Sequence, residues 1–98
     1  TEWVGPYDDE KLGFQKVARN YYYPGWWEGG AQLEFYVNKA AYNALSAENK
    51  AIVEVSASHA HTVMQARYDA RNPAALKRLV AGGAKVLAFP KSVMDLAY

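Results

Sequence analysis

The longest periodic stretch of the sequence sets the first constraint on the fold. Val53, Ala57, Ala60, Met64 and Tyr68 recur at helical spacing, with Ile52, Ser56, His59 and Val63 beside them, which predicts an amphipathic helix over 46–71. Ser46 precedes it as an N-cap, and Glu48 falls in its first turn, where an acid meets the positive end of the helix dipole. Asn72-Pro73 is expected to stop this helix and start another, with Asn72 as N-cap and Pro73 at the first helical position. Leu76, Leu79 and Val80 continue that second helix, and Gly82-Gly83 ends it. A helix of about 25 residues is roughly 37 Å long. That exceeds the width of a compact body made from the 98 residues of this chain. The helix therefore asks for a larger partner surface.

The remaining elements alternate between strand and helix. Glu2-Trp3-Val4 reads as the end of a strand over 2–5 closed by a Gly5-Pro6 turn. Asp8-Asp9-Glu10 places acids at a helix start, and Leu12, Phe14, Val17 and Ala18 give that helix an apolar face to about Arg19, although Gly13 weakens it. Tyr21-Tyr22-Tyr23 returns to strand character over 20–23, so the first third suggests a βαβ crossover and a parallel sheet. Leu33, Phe35 and Val37 alternate with Glu34, Tyr36 and Asn38, the period of a half-buried strand over 32–38. One or two helical turns follow from Lys39 to Leu45, an apolar strand is expected over 85–89, and a last helix runs from Ser92 to Tyr98. The class is α/β in one segment, 1–98, without repeats or an internal boundary.

The candidate site is Tyr21-Tyr22-Tyr23-Pro24-Gly25-Trp26-Trp27-Glu28-Gly29-Gly30, which concentrates five aromatic rings, one carboxylate and three glycines in ten residues. Pro24 and Gly25 end the strand in a turn, and Gly29-Gly30 allows backbone to approach an occupant closely. Glu28, partly desolvated among the rings, needs a cation or a hydrogen-bond donor. An aromatic cluster can equally be core. Adjacent tryptophans argue otherwise, because neighbours on an extended chain point to opposite faces and leave one ring for a ligand. The stretch follows the C-terminal end of a predicted strand, where open α/β sheets bind their ligands.

Charge and composition remove several functions. With 11 basic and 10 acidic residues the net charge is +1, which gives no general attraction to nucleic acid or an anionic membrane. No apolar run approaches the ~20 residues of a membrane helix, and a soluble chain is expected. Without cysteine there is no disulfide, thiolate nucleophile or cysteine-bound zinc. The opening Thr1-Glu2-Trp3-Val4 has neither an initiator methionine nor a signal segment, the mark of a mature, processed or excised chain.

Glu2-Trp3-Val4-Gly5-Pro6-Tyr7-Asp8-Asp9, the stretch 21–30, Asn38-Lys39 and the run from Asp69 to Leu76 together resemble the C-terminal part of an extracytoplasmic solute receptor of tripartite ATP-independent periplasmic (TRAP) transporters. The likeness is to the branch that binds 2-oxo acids and related monocarboxylates, and it covers essentially the whole chain. It implies a periplasmic, non-catalytic, two-lobed α/β receptor that closes on a small carboxylate ligand and passes it to TRAP membrane subunits. It also implies a Na⁺ or Ca²⁺ ion bridging ligand and protein, held by Glu2, the main-chain carbonyl of Trp3, and Glu28. Tyr23, Trp26 and Trp27 would line the apolar wall, with Glu28 also facing the substrate. In that family an arginine for the ligand carboxylate and a further metal ligand come from an earlier part of the receptor, so this segment supplies one wall.

Other candidates weigh less. His59 and His61, two apart on a helix, point about 200° apart and cannot share one ion. Asp8-Asp9-Glu10 is explained by a helix N-terminus, and Arg19, Arg67, Arg71 and Arg78 by solvated helix faces. Glu2 and Glu28 beside tryptophans could serve a glycosidase, although such an enzyme needs a cleft built from far more chain. A fragment that folds by self-association, a homo-oligomer without ligand-binding activity of its own, is the alternative function.

Overall fold

The structure is a computed structural model, and it describes residues 2–28 and 30–97. In order these form α1 (Pro6–Leu12), a 3-10 turn (Phe14–Lys16), β1 (Asn20–Tyr22), α2 (Lys39–Asn43), α3 (Ala47–Ala81), β2 (Lys85–Leu87) and α4 (Lys91–Ala97). The expected parts of Gly29 in the glycine pair and Tyr98 in the last helix lie outside the described residues. Among the described residues no helix is long and apolar enough to cross a membrane.

The long helix is longer than its periodicity predicts. Ser46 caps it as expected, accepting from the Asn49 N–H at 3.2 Å, but Asn72-Pro73 does not stop it. α3 runs 35 residues with Pro73 inside, about 52 Å at 1.5 Å per residue, and it sets the 53 Å long axis of the molecule. Proline removes a main-chain donor and crowds the preceding turn, a cost of about 3 kcal/mol. What offsets it lies immediately beyond. Ala75 and Leu79, at 0% and 1% exposure, are the most completely buried side chains described, and burying one leucine contributes about 2–3 kcal/mol. Asn72 is not an N-cap of its own helix. Its Oδ1 instead accepts the N–H of Tyr7 at 3.0 Å, capping the first turn of α1 from a neighbouring helix.

α1 therefore sits against the C-terminal half of α3. It begins at Pro6, an N1 residue with no N–H to satisfy; the expected strand over 2–5 does not form, for no strand among the described residues pairs with it, and Glu2 to Gly5 is an irregular arm with a bend at Val4 leading into a helix. Gly5, at φ 158° and ψ 178°, occupies backbone space open essentially to glycine, and a Cβ there would stand 3.4 Å from the Asn72 amide. Gly13, at φ 75°, ends α1 in a left-handed cap. The predicted helix to Arg19 is cut there, and Val17 is left 87% exposed. Arg78 and Arg71 are more than solvated faces: Arg78 forms a two-point pair with Glu10 at 2.6 and 2.7 Å, and Arg71 lies over the Tyr7 ring and donates to its hydroxyl.

The sheet is parallel, as expected, but its partners differ. β1 pairs with β2, Asn20 opposite Lys85 and Tyr22 opposite Leu87, so the crossover runs through α3 and not through α1. The expected strand over 32–38 does not form. Alternation gives a strand only where another strand pairs with it, and here Leu33, Phe35 and Tyr36 are all more than 80% exposed. Much of the first half of α3 is likewise uncovered, including Ile52 and Val55. The radius of gyration is 18.5 Å, against about 13 Å for a compact chain of this length.

The α1–α3 contact should dominate stability. In chemical denaturation Leu79→Ala is expected to cost about 2–5 kcal/mol and Asn72→Ala about 1 kcal/mol, while Glu10→Gln changes little because its ion pair is at the surface. A neutral Asn72→Ala would remove the inter-helix cap from this account.

Candidate functional site

The C-terminal end of the parallel pair carries the aromatic stretch. The Tyr23 N–H donates to the Leu87 carbonyl at 3.0 Å, extending the ladder by one residue, and the chain then turns so that the Glu28 N–H approaches the Gly25 carbonyl at 3.4 Å. Within this turn Trp26 and Trp27 meet edge to face, with ring centroids 5.6 Å apart. Trp27 also meets Phe89 at 5.4 Å and 69°, and Phe89 stacks on Tyr22 at 4.9 Å and 24°. Phe89 thus joins the turn to the end of β2.

Beside these rings is a cavity of about 610 Å³. Glu2 and Trp3 reach it from the arm before α1, and Tyr23, Trp27 and Glu28 reach it from the turn after β1. Five of the six residues expected at the site therefore share one space. Trp26 packs on Trp27 and is not among the residues lining the cavity. Trp3 is steadied by an edge-to-face contact with Phe14, centroids 6.5 Å apart.

Tyr21, from the candidate stretch, lines the cavity too, and so do residues that sequence reasoning left out of the site: Asp9, Asn20, Asn72 and Phe89. Phe89 was legible in principle, because it follows a parallel strand at the same sheet end as the aromatic turn. Asp9 was not. Its position in the first turn of a helix explained it fully, and only the fold shows it 7% exposed.

The electrostatics are one-sided. Glu2, Asp9 and Glu28 line the cavity, and among the described residues no lysine, arginine or histidine does. Asp9 Oδ2 accepts the Tyr21 hydroxyl at 2.5 Å, and its Oδ1 is buried without a partner. Burial pushes the Asp9 carboxyl above its ordinary range, the Tyr21 hydrogen bond pulls it back in part, and Asp8 raises it further. Burial, then the bond to Asp9, raises the Tyr21 hydroxyl in turn. The carboxylate and carbonyl oxygens here suit a hard cation, but among the described residues no three acidic or histidine side chains converge on one point. Any ion here would rest on fewer side chains plus main-chain oxygen. His59 and His61 lie exposed on α3, away from the cavity.

The sequence matches the family "Bacterial extracellular solute-binding protein, family 7" over residues 1–95. The chain belongs to this family. Its members are transport solute-binding proteins, not enzymes, and membership places this segment in the periplasm. A "Monocarboxylate 2-oxoacid-binding periplasmic protein" of Nostoc sp. is 49% identical over 97 residues, 99% of this chain and 27% of that protein. A crystallised TRAP transporter solute-binding protein from Bordetella bronchiseptica RB50 superposes with a TM-score of 0.85 at 54% identity, over 96% of this chain and 28% of that one. That structure is a mixed-occupancy dimer with copurified calcium and picolinate in one active site and the other site apo. The family 7 segment described here thus spans about a quarter of the length of its relatives, as an α/β piece of the periplasmic solute-receptor fold.

The buried carboxyl has a pH consequence. A group whose pKa rises on folding favours the fold when protonated, so its contribution is fully present below its ordinary value of 3.8 and is lost as pH rises through the raised value. Asp9→Asn should therefore raise the melting temperature at neutral pH, by a margin that shrinks as pH is lowered towards 3.8. Calorimetry across this range tests it, and a margin that grew on acidification would reverse the assignment.

Proposed function

We propose that the chain is part of a two-lobed TRAP-type receptor and supplies one wall of a cation-bridged site for a 2-oxo acid or similar small carboxylate. The observation that carries this reading is the cavity lined by Glu2, Asp9 and Glu28 with no basic side chain. Acids lining one space repel an anionic solute; a cation held by Glu2 and Glu28 would reverse that.

Glu2 and Glu28 would hold the ion by side-chain oxygen and Trp3 by its main-chain carbonyl. A bound Na⁺ or Ca²⁺ would neutralise these carboxylates and present positive charge to the solute's carboxylate. Ca²⁺ takes about six to eight oxygens, so the solute, water and other parts of the receptor complete the shell. Tyr23, Trp26 and Trp27 form the apolar side, with Trp26 acting through its contact with Trp27. Lobe closure would bury ion and solute together, the closed state gaining contacts that the open state lacks, and TRAP membrane subunits would accept the solute. The calcium and picolinate of the Bordetella protein and the 2-oxoacid binding of the Nostoc protein support the same chemistry.

Calorimetric titration of pyruvate into the intact receptor carrying this segment tests the reading. Binding is expected with Ca²⁺ or Na⁺ present and is expected to vanish with a chelator in sodium-free buffer. Glu28→Gln should weaken it by at least about 10- to 100-fold, the loss usual even for outer partners of a metal site. Pyruvate binding indifferent to both cation and Glu28 would refute it.

A second reading, self-association of this segment without ligand binding, is favoured by the exposure of Leu33, Phe35 and Tyr36. Light scattering on the 10.9 kDa chain separates the two. A stable dimer unaffected by Ca²⁺ and pyruvate supports self-association, whereas a monomer that both additions stabilise supports the receptor site.

A further inference from the structure

The two sides of the cavity come from segments far apart in sequence, the arm 2–5 and the turn 23–28. Each is anchored to a different element. The arm leads into α1, which is fixed to α3 by the Asn72 cap, and the turn leads out of β1, which is fixed to β2. A site assembled from both needs something that holds α1 to β1.

Asp9 and Tyr21 meet that need. The Asp9 N–H donates to the Gly5 carbonyl at 2.9 Å, tying Asp9 to the end of the arm. Its side chain receives the Tyr21 hydroxyl at 2.5 Å, a short bond to a carboxylate in a half-buried setting. Tyr21 is the central residue of β1, opposite Val86, and stands two residues before the turn. Both side chains line the cavity.

Asp9 is withdrawn from solvent, whereas Glu2 and Glu28 are exposed. One oxygen is engaged by Tyr21 and the other is sealed from solvent. A buried carboxylate oxygen left without a partner is costly, and a rigid attachment to Tyr21 gives that cost a use.

We propose that Asp9 and Tyr21 form a clamp that fixes the separation of the arm 2–5 from the turn 23–28, Asp9 acting through Tyr21 as a positioning residue and not as a ligand to the cation. The inference rests on the solute-site reading above for its effect on binding, but the clamp can be observed without any ligand.

The experiment uses the intact receptor with four variants: Tyr21→Phe, Asp9→Ala, Asp9→Asn and Asp9→Ala/Tyr21→Phe. Ca²⁺-dependent pyruvate binding is expected to weaken about 10- to 30-fold in Tyr21→Phe and Asp9→Ala, and no further in the double variant. Asp9→Asn, which keeps an acceptor oxygen for Tyr21, should recover most of the loss. In the ligand-free protein the indole N–H resonances of Trp3 and Trp27, one from each side, should both shift in Tyr21→Phe and Asp9→Ala and return in Asp9→Asn. If the wild type binds no pyruvate, the site reading fails while these resonances still decide the clamp. The clamp is overturned if Tyr21→Phe lowers the melting temperature but moves neither resonances nor affinity. It is equally overturned if Asp9→Asn loses as much affinity as Asp9→Ala, which would make the negative charge the working feature.

Discussion

The seat of α1 on the C-terminal half of α3 is the contact on which the rest of the structure depends. Ala75 and Leu79 bury under α1, and Asn72 satisfies the first-turn donor of Tyr7. These side chains lie just beyond or just before Pro73, so continuation of the helix through a proline and docking of α1 are one event. If the helix ended at Asn72, Leu79 would lose its fixed place beneath α1 and Asn72 its geometry as a cap. The cost of an internal proline, about 3 kcal/mol, is of the size that one buried leucine and one helix cap together offset. This balance brings the arm carrying Glu2 and Trp3 to the side of β1.

Once the arm is there, charge governs the cavity. Glu2 and Glu28 are separated by most of the first third of the chain, yet they face a common space without a basic neighbour. Asp9 is a third acid of different standing, bonded to Tyr21 and withdrawn from solvent. An acid that keeps one oxygen for a tyrosine is committed locally, whereas Glu2 and Glu28 remain available to an occupant. The cavity thus contains two kinds of carboxylate, one buried and bonded to Tyr21 and two exposed along its lining.

Local signals in the sequence were legible where a single segment decides its own conformation. The Ser46 cap, the Asn38-led turn of α2, the short strands at β1 and β2 and the stop after Ala81 all follow from residues in or beside the element. The largest error comes from competition by a distant segment. Asn72-Pro73 is a strong local stop signal, overridden because Leu79 and Ala75 have somewhere to bury. Leu33, Phe35 and Val37 have strand periodicity but no partner strand. Glu2-Trp3-Val4 has strand composition, yet Pro6 starts a helix immediately after it. At the site, the stretch 21–30 stood out by its residue types and Glu2 and Trp3 only through the family resemblance; Glu2, Trp3, Tyr23, Trp27 and Glu28 line one cavity. Of those that complete the walls, Asp9 and Asn72 were not legible, because each has an adequate local explanation as a first-turn acid and a cap.

Phe89 shows how the two levels join. Its ring stacks on Tyr22 within the sheet and meets Trp27 beyond it, so the aromatic turn is held by the register of β1 on β2 and not by its own sequence. That register in turn depends on the chain returning from α3 at the correct height, which the left-turning Gly83 and the Ala84 N–H bond to Leu79 enforce. Leu79 is also the residue buried beneath α1. One leucine therefore sits where both routes to the cavity begin: its side chain seats the helix that carries Glu2 and Trp3, and its carbonyl starts the strand that positions Trp27 through Phe89. A two-stranded sheet is weak in isolation, and the geometry of this site is accordingly set from the helix pair outward, with the aromatic turn as the last element to be placed.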